Sequence, residues 1–113
     1  MDLRDLAYSY ITWHNQGVES GDFSQMLTLF HHEAEFNFEG IDYGPFSGLQ
    51  AIAEAFKSNP PTDELEILGI TEDDAGATIA YGWRERPGVF AGTLRLETEG
   101  RLIKQLVVRI SST

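Results

Sequence analysis

The feature that most constrains this chain is the two-residue alternation running from Glu64 to Ile110 between glycine-bearing turns. Three breaks cut the stretch, at Asp73-Asp74-Ala75-Gly76, Arg86-Pro87-Gly88 and Thr98-Glu99-Gly100-Arg101. Each holds a glycine, which takes positive φ without steric cost. Around Tyr81, the residues Ile79, Tyr81, Trp83 and Glu85 share one face and Thr78, Ala80, Gly82, Arg84 and Arg86 the other, because successive strand side chains point to opposite sides. The next segment repeats the pattern, with Phe90, Gly92, Leu94 and Leu96 against Ala91, Thr93, Arg95 and Glu97. Four strands in an antiparallel meander are predicted, with one aromatic, apolar face that must be covered. The first half of the chain is the available cover, and the cleft between sheet and cover is where function is expected.

That first half reads as helix, helix, strand, helix. Leu3, Leu6, Ala7, Tyr10, Ile11, His14 and Val18 recur at three and four and form one stripe of an amphipathic helix ending near Glu19-Ser20-Gly21. Asp22 is expected to cap a second helix, with Gln25 as its capping-box partner and Phe23, Met26, Leu27 and Phe30 facing inward. Phe36 and Phe38 alternate with Glu35, Asn37 and Glu39, which predicts a short edge strand. Ser47 with Gln50 forms a second capping box, opening a helix with Leu49, Ile52, Ala53 and Phe56 on its apolar face. Asn59-Pro60-Pro61 ends that helix, since proline has no amide hydrogen and disfavours helical geometry before it. The expected architecture is α+β: a single domain over 1–113 with three helices on one face of a curved, mainly antiparallel sheet.

Composition excludes several classes of function. A net charge of -10 with only 8 basic residues does not suit nucleic acid or an anionic membrane surface, because both need clustered Lys and Arg. The chain has no cysteine, hence no disulfide, thiol nucleophile or thiolate metal site, and this suits a reducing cytoplasm. Met1-Asp2-Leu3-Arg4-Asp5 lacks the basic and apolar blocks of a signal peptide. A cytoplasmic protein is expected.

Several segments resemble the nuclear-transport-factor-2-like superfamily, the cone-shaped fold of ketosteroid isomerase and the SnoaL-like polyketide cyclases. They are Gly21-Asp22-Phe23 leading into Met26-Leu27-Thr28-Leu29-Phe30, then His32-Glu33-Ala34-Glu35-Phe36, then Gly44-Pro45-Phe46-Ser47-Gly48 before a helix with Ile52 and Phe56, and the hairpin Leu94-Arg95-Leu96 to Gly100-Arg101-Leu102-Ile103. The resemblance covers nearly the whole chain and implies the fold rather than one activity, because this superfamily hosts isomerases, cyclases, dehydratases, epoxide hydrolases and adaptors. Ketosteroid isomerase uses a carboxylate base with a tyrosine and a protonated aspartic acid as oxyanion donors. The resemblance lays these on Phe38, His14 and Gly92 respectively, so that mechanism does not carry over. The epoxide-hydrolase set of two carboxylates about an arginine is approached only by Arg84, Glu85 and Arg109, at unmatched spacing.

His14 is the first candidate site residue, either a proton-transfer group facing the pocket or a core histidine satisfied by a polar neighbour. Glu85 continues the inward face of its strand and is either a general base or a solvated residue at the Pro87-Gly88 turn. Tyr10, Phe36, Phe38, Tyr43, Tyr81 and Trp83 are expected to contact a ligand; the rings double as core, and Tyr43 lies in the loop at the cone's mouth. For the last strand two orientations stand open. Alternation groups Leu102, Leu106, Val108 and Ile110 as the core face, whereas the resemblance turns Gln105, Val107 and Arg109 toward the pocket. In the second case Arg109 contacts an anionic group, and the first set joins Leu68 and Ile70 in an exposed apolar patch that motivates a homodimer through the open face of the sheet. His31-His32-Glu33 lacks the i, i+4 spacing of a helical metal site and is read as interacting with the second helix's C-terminal dipole, so no metal and no cofactor are expected. The chain is therefore expected to bind a small lipophilic or aromatic molecule, either as a SnoaL-like isomerase, cyclase, dehydratase or hydrolase or as a non-catalytic ligand-binding or dimerisation module.

Overall fold

The stripe that begins at Leu3 becomes the longest helix, α1 (Leu3–Ser20). Asp2 caps its start, its carboxylate accepting from the Asp5 amide at 2.8 Å, and Gly21 ends it with φ 82°, a left-handed turn that costs glycine little. The computed structural model describes residues 2–111. Met1, Ser112 and Thr113, the outermost positions of the expected domain, lie outside the described residues. The elements that follow are α2 (Ser24–Leu27), β1 (Phe30–Glu39), β2 (Phe46–Ser47), α3 (Leu49–Ser58), β3 (Leu65–Glu72), β4 (Gly76–Trp83), β5 (Phe90–Glu99) and β6 (Leu102–Ile110). Among the described residues no helix is long and apolar enough to cross a membrane.

The strands form one curved, open, six-stranded sheet in the order β2-β1-β6-β5-β4-β3. The meander β3 to β6 is antiparallel as expected, while β1 pairs in parallel with β6. This corrects the reading of Phe36 and Phe38 as a short edge strand: they lie in a ten-residue strand between β6 and the two-residue β2. α1 packs over β3 and β4, and α3 over β1. The core between them includes Leu6, Tyr10, Met26, Ile52, Ile79, Tyr81, Leu94, Leu96 and Leu106.

Local chemistry also departs from expectation at both inner helix starts. Asp22 accepts from the Ser24 amide only two residues on, at 2.9 Å, so it closes an Asx turn before a single helical turn, and Phe30 has already entered β1. Ser47 is taken into β2, leaving Gly48 at φ 91° as the residue before α3, with no side-chain cap.

The last strand follows alternation rather than the orientation implied by resemblance. Leu106 and Val108 are buried, whereas Arg109 points outward and donates to Glu39 from Nε at 2.8 Å. Ile103 is also buried, because the ladder steps from Glu97 opposite Gln105 to Thr98 opposite Ile103, a bulge at Lys104 that changes the phase. The open face is consequently polar: Arg95 donates to both carboxylate oxygens of Asp73 at 2.8 Å and to Thr78 at 3.1 Å. Of the apolar set that motivated a homodimer through this face, Leu106 and Val108 are buried and Ile70 and Ile110 pack against the core, while Leu68 is exposed.

His31 and His32 occupy β1, not the end of a helix. They lie in a bulge where Phe30 opposite Ile103 is followed by Glu35 opposite Gln105. His31 Nδ1 accepts from the Glu33 amide at 3.0 Å, and its Nε2 lies 3.0 Å from Glu99. One ligand atom each from His31, His32 and Glu33 fall within 4.8 Å of one another, yet both His31 nitrogens are engaged and Lys104 stands 3.7 Å from the Glu33 carboxylate. The pairing with Glu99 replaces the expected interaction with a helix dipole.

Candidate ligand-binding site

The helices do not fill the concave side of the sheet. They leave a cavity of about 420 Å³ whose floor comes from α1, β1, β4, β5 and β6 and whose rim comes from the loops after β1 and α3. Tyr10, His14, Phe36, Leu65, Tyr81, Leu94 and Val108 are its buried lining. Phe38, Tyr43 and Trp83 are half-buried, and the rim is formed by Ile41, Asn59 and the segment from Pro60 to Asp63. The rings form two groups in the wall: Phe36 stands 5.0 Å from Phe38 and Phe38 5.3 Å from Tyr43, while Tyr81 stands 5.6 Å from Trp83, centroid to centroid.

His14 is the polar centre of this wall, and its chemistry is set from behind. β3 is an edge strand, so the backbone groups of Leu65 that face away from β4 have no strand partner. Asn15 takes both. Its Oδ1 accepts from the Leu65 amide at 2.8 Å and its Nδ2 donates to the Leu65 carbonyl at 2.9 Å. These two bonds orient the amide, because a backbone N–H must meet oxygen and a carbonyl must meet N–H. The same Oδ1 lies 3.1 Å from His14 Nδ1. An amide oxygen only accepts, so Nδ1 carries the hydrogen and, in the neutral ring, Nε2 carries a lone pair.

Nε2 makes no bond within the protein. Among the described residues no buried side-chain nitrogen or oxygen lacks a partner, so Nε2 is not sealed off and keeps access to the cavity that His14 lines. Burial of the ring pulls the imidazole below its ordinary value of 6.5, against the smaller opposing effect of the Asn15 bond. The ring is held between Tyr10 and Phe23, each 6.2 Å away by centroid. Burial pushes the phenols of Tyr10 and Tyr81 up. At neutral pH the floor therefore holds three uncharged polar groups, and the one carboxylate lining the cavity, Asp63, belongs to the exposed rim.

Seven of the candidate residues thus line one cavity: Tyr10, His14, Phe36, Phe38, Tyr43, Tyr81 and Trp83. Two do not. β4 ends at Trp83, and Glu85 is exposed in the turn beyond it, facing a shallow surface depression with Arg84 and Glu64. Arg109 is on the opposite face of the sheet, paired with Glu39. Their places at the wall are taken by Val108 and Ile110 of β6. Asn15 was missed as the residue that orients His14, although it continues the buried series Ile11, Asn15, Val18 at helical spacing.

No protein-family model matches the sequence, and no curated protein matches it. Solved structures do match. An NTF2-like protein of unknown function from Cytophaga hutchinsonii superposes with a TM-score of 0.75 over 98% of this chain and 91% of that one, at 15% identity. The chain has the nuclear-transport-factor-2-like fold. A candidate ketosteroid isomerase from Kribbella flavida has the same architecture, with a TM-score of 0.76 at 15% identity over 98% of this chain and 78% of that one. A candidate polyketide cyclase from Sinorhizobium meliloti gives a TM-score of 0.60 at 20% identity over 88% and 92%. In nuclear-transport-factor-2-like terms, the cavity is the interior of the cone, and His14 stands on the first helix facing into it.

Proposed function

We propose that this chain binds a small, uncharged, largely apolar molecule inside the cone and that His14 Nε2 takes a proton from it, in a cofactor-independent isomerisation, cyclisation, dehydration or hydrolysis. The observation that carries this reading is the relay from the Leu65 backbone through Asn15 to His14, which leaves an unshared electron pair on Nε2 at the wall of an aromatic cavity. A base must be unprotonated and within reach of its proton. A ring whose pKa is lowered by burial is neutral at pH 7, and Asn15 Oδ1 steadies the Nδ1–H side when Nε2 becomes protonated. Similarly folded proteins named for ketosteroid isomerisation and polyketide cyclisation support the reaction class. Residence in the cytoplasm belongs to the same reading.

The experiment is a screen of lipophilic ketones, epoxides and polyketide-like compounds in D2O, reading binding by Trp83 fluorescence in a Trp13→Phe background and deuterium entry into the ligand by NMR. Binding with deuterium entry or turnover that His14→Ala abolishes is the expected result. Exchange undiminished in His14→Ala refutes the role of the histidine.

A second reading, a non-catalytic binding module, draws on one observation: the cavity floor has no carboxylate to receive or return a proton beside His14. Binding without exchange or turnover across the screen favours it.

A further inference from the structure

Three polar atoms of cavity-lining residues have no hydrogen-bond partner among the described residues: His14 Nε2, Tyr10 Oη and Tyr81 Oη. Their residues are 6%, 2% and 2% exposed, so each is more than nine-tenths buried. None of the three atoms is sealed, since no buried side-chain nitrogen or oxygen among the described residues is left unpaired. All three residues line the same cavity. Phenols buried to this degree ordinarily find a hydrogen-bond partner.

The surroundings of Tyr81 are built to hold its hydroxyl where it is. Tyr81 is the direct cross-strand partner of Gly92. A Cβ on Gly92 would lie 2.8 Å from Tyr81 Oη, 3.1 Å from its Cε2 and closer still to the Arg109 carbonyl oxygen. Glycine at this position therefore permits both the close approach of β6 and the phenol lying over β5. Tyr10 stands one helical turn from His14 on the buried stripe, ring to ring at 6.2 Å, and lines the same cavity.

We propose that the ligand carries an alcohol or phenol hydroxyl and that this group seats among Tyr10, His14 and Tyr81. The inference deepens the reading of the cone as a ligand site and rests on it. The hydrogen-bond inventory argues for the group: with Nδ1 committed to Asn15, Nε2 only accepts, while both phenols have a hydrogen to donate. A hydroxyl supplies one hydrogen and two lone pairs, which meets all three. A carbonyl satisfies the phenols but offers Nε2 nothing. A carboxylate would be desolvated over a floor that holds no cation. In that seat the O–H donates its hydrogen to Nε2 and the ligand oxygen accepts from the two phenols.

The test is calorimetric titration of the whole chain at pH 7.5 with naphthalene, 2-naphthol and 2-methoxynaphthalene, repeated for Tyr81→Phe and Tyr10→Phe. Each variant removes one oxygen, and its affinity for naphthalene reports whether the cavity survives. The naphthol should bind the native chain at least about tenfold more tightly than the hydrocarbon or the ether, as expected for two or three neutral hydrogen bonds. Each phenylalanine variant should weaken naphthol binding about threefold to tenfold and leave naphthalene unchanged. Equal affinities across the three compounds, or variants indifferent to the hydroxyl, overturn the inference while the cone remains a ligand site. Failure of all three compounds to bind overturns the ligand-site reading and this inference with it.

Discussion

Asn15→Ala is the substitution on which the site reasoning can be tested most directly, because one side chain serves both the fold and the chemistry. Its amide makes two bonds to the Leu65 backbone and accepts from His14, all of them buried. Alanine removes the partner and leaves the Leu65 N–H and C=O at a strand edge covered by α1. Stranding a buried polar group costs about 1–3 kcal/mol, and with some relaxation at an edge the two together come to about 2–4 kcal/mol. For 113 residues, an unfolding entropy of about 2.1 cal/mol/K per residue makes 1 kcal/mol worth about 4 °C, so the midpoint should fall by about 8–16 °C. Thermal and urea unfolding followed by circular dichroism measure this. The His14 ring nitrogens, read by NMR, should show hydrogen on Nδ1 in the native chain and a mixture of tautomers in the variant. A midpoint loss under about 3 °C, or native His14 with its hydrogen on Nε2, refutes the relay.

Three further outcomes follow from the structure. Gly17→Ala should destabilise by about 1–3 kcal/mol in urea despite alanine's better helix propensity, since its Cβ would fall 2.5 Å from Cε1 of Phe23, and closer still to Cδ1 of that ring; a stabilised variant would contradict the packing. Because burial lowers His14 in the folded chain, the unfolded chain takes up its proton first as pH falls, so stability is complete above about pH 6.5, declines below it and levels once the folded ring is protonated. His14→Gln should flatten that decline in urea midpoints between pH 7 and 5. Finally, Glu85→Ala and Arg109→Ala should leave ligand affinity within about twofold of native and cost at most about 1 kcal/mol of stability, as exposed side chains outside the cone; a larger loss of binding would return either residue to the site.

Much of the fold and most of the site were legible because one periodicity encodes both. Of the residues that make β4 apolar, Ile79 is core while Tyr81 and Trp83 are also pocket wall, so reading that face read part of the cavity. Phase failed where the ladder gains a residue. The bulge at Lys104 turns Ile103 inward together with Leu106, and the step from Tyr81 opposite Gly92 to Gly82 opposite Phe90 leaves Phe90 exposed; one extra residue reverses a side chain without altering composition. Arg109 lies outside the cone because, of the two orientations open for the last strand, the structure follows alternation, and Glu85 because β4 ends at Trp83 before alternation reaches it. The capping-box patterns at Asp22 and Ser47 were present, but an Asx turn claimed the Asp22 side chain and pairing with Glu35 took Ser47 into β2.

The parallel pairing of β1 with β6 also governs the order in which the molecule can be assembled. During synthesis β1 leaves the ribosome about seventy residues before the strand it lies against, and until then its one strand partner among the described residues is the two-residue β2. The hairpins of β3, β4 and β5 close from neighbouring sequence, whereas the join that unites the N-terminal segment with them waits for residues 102–110. Closing so long a loop is expected to make this join slower than the hairpins, and until it forms the β6 edge of β1 lies without its strand partner.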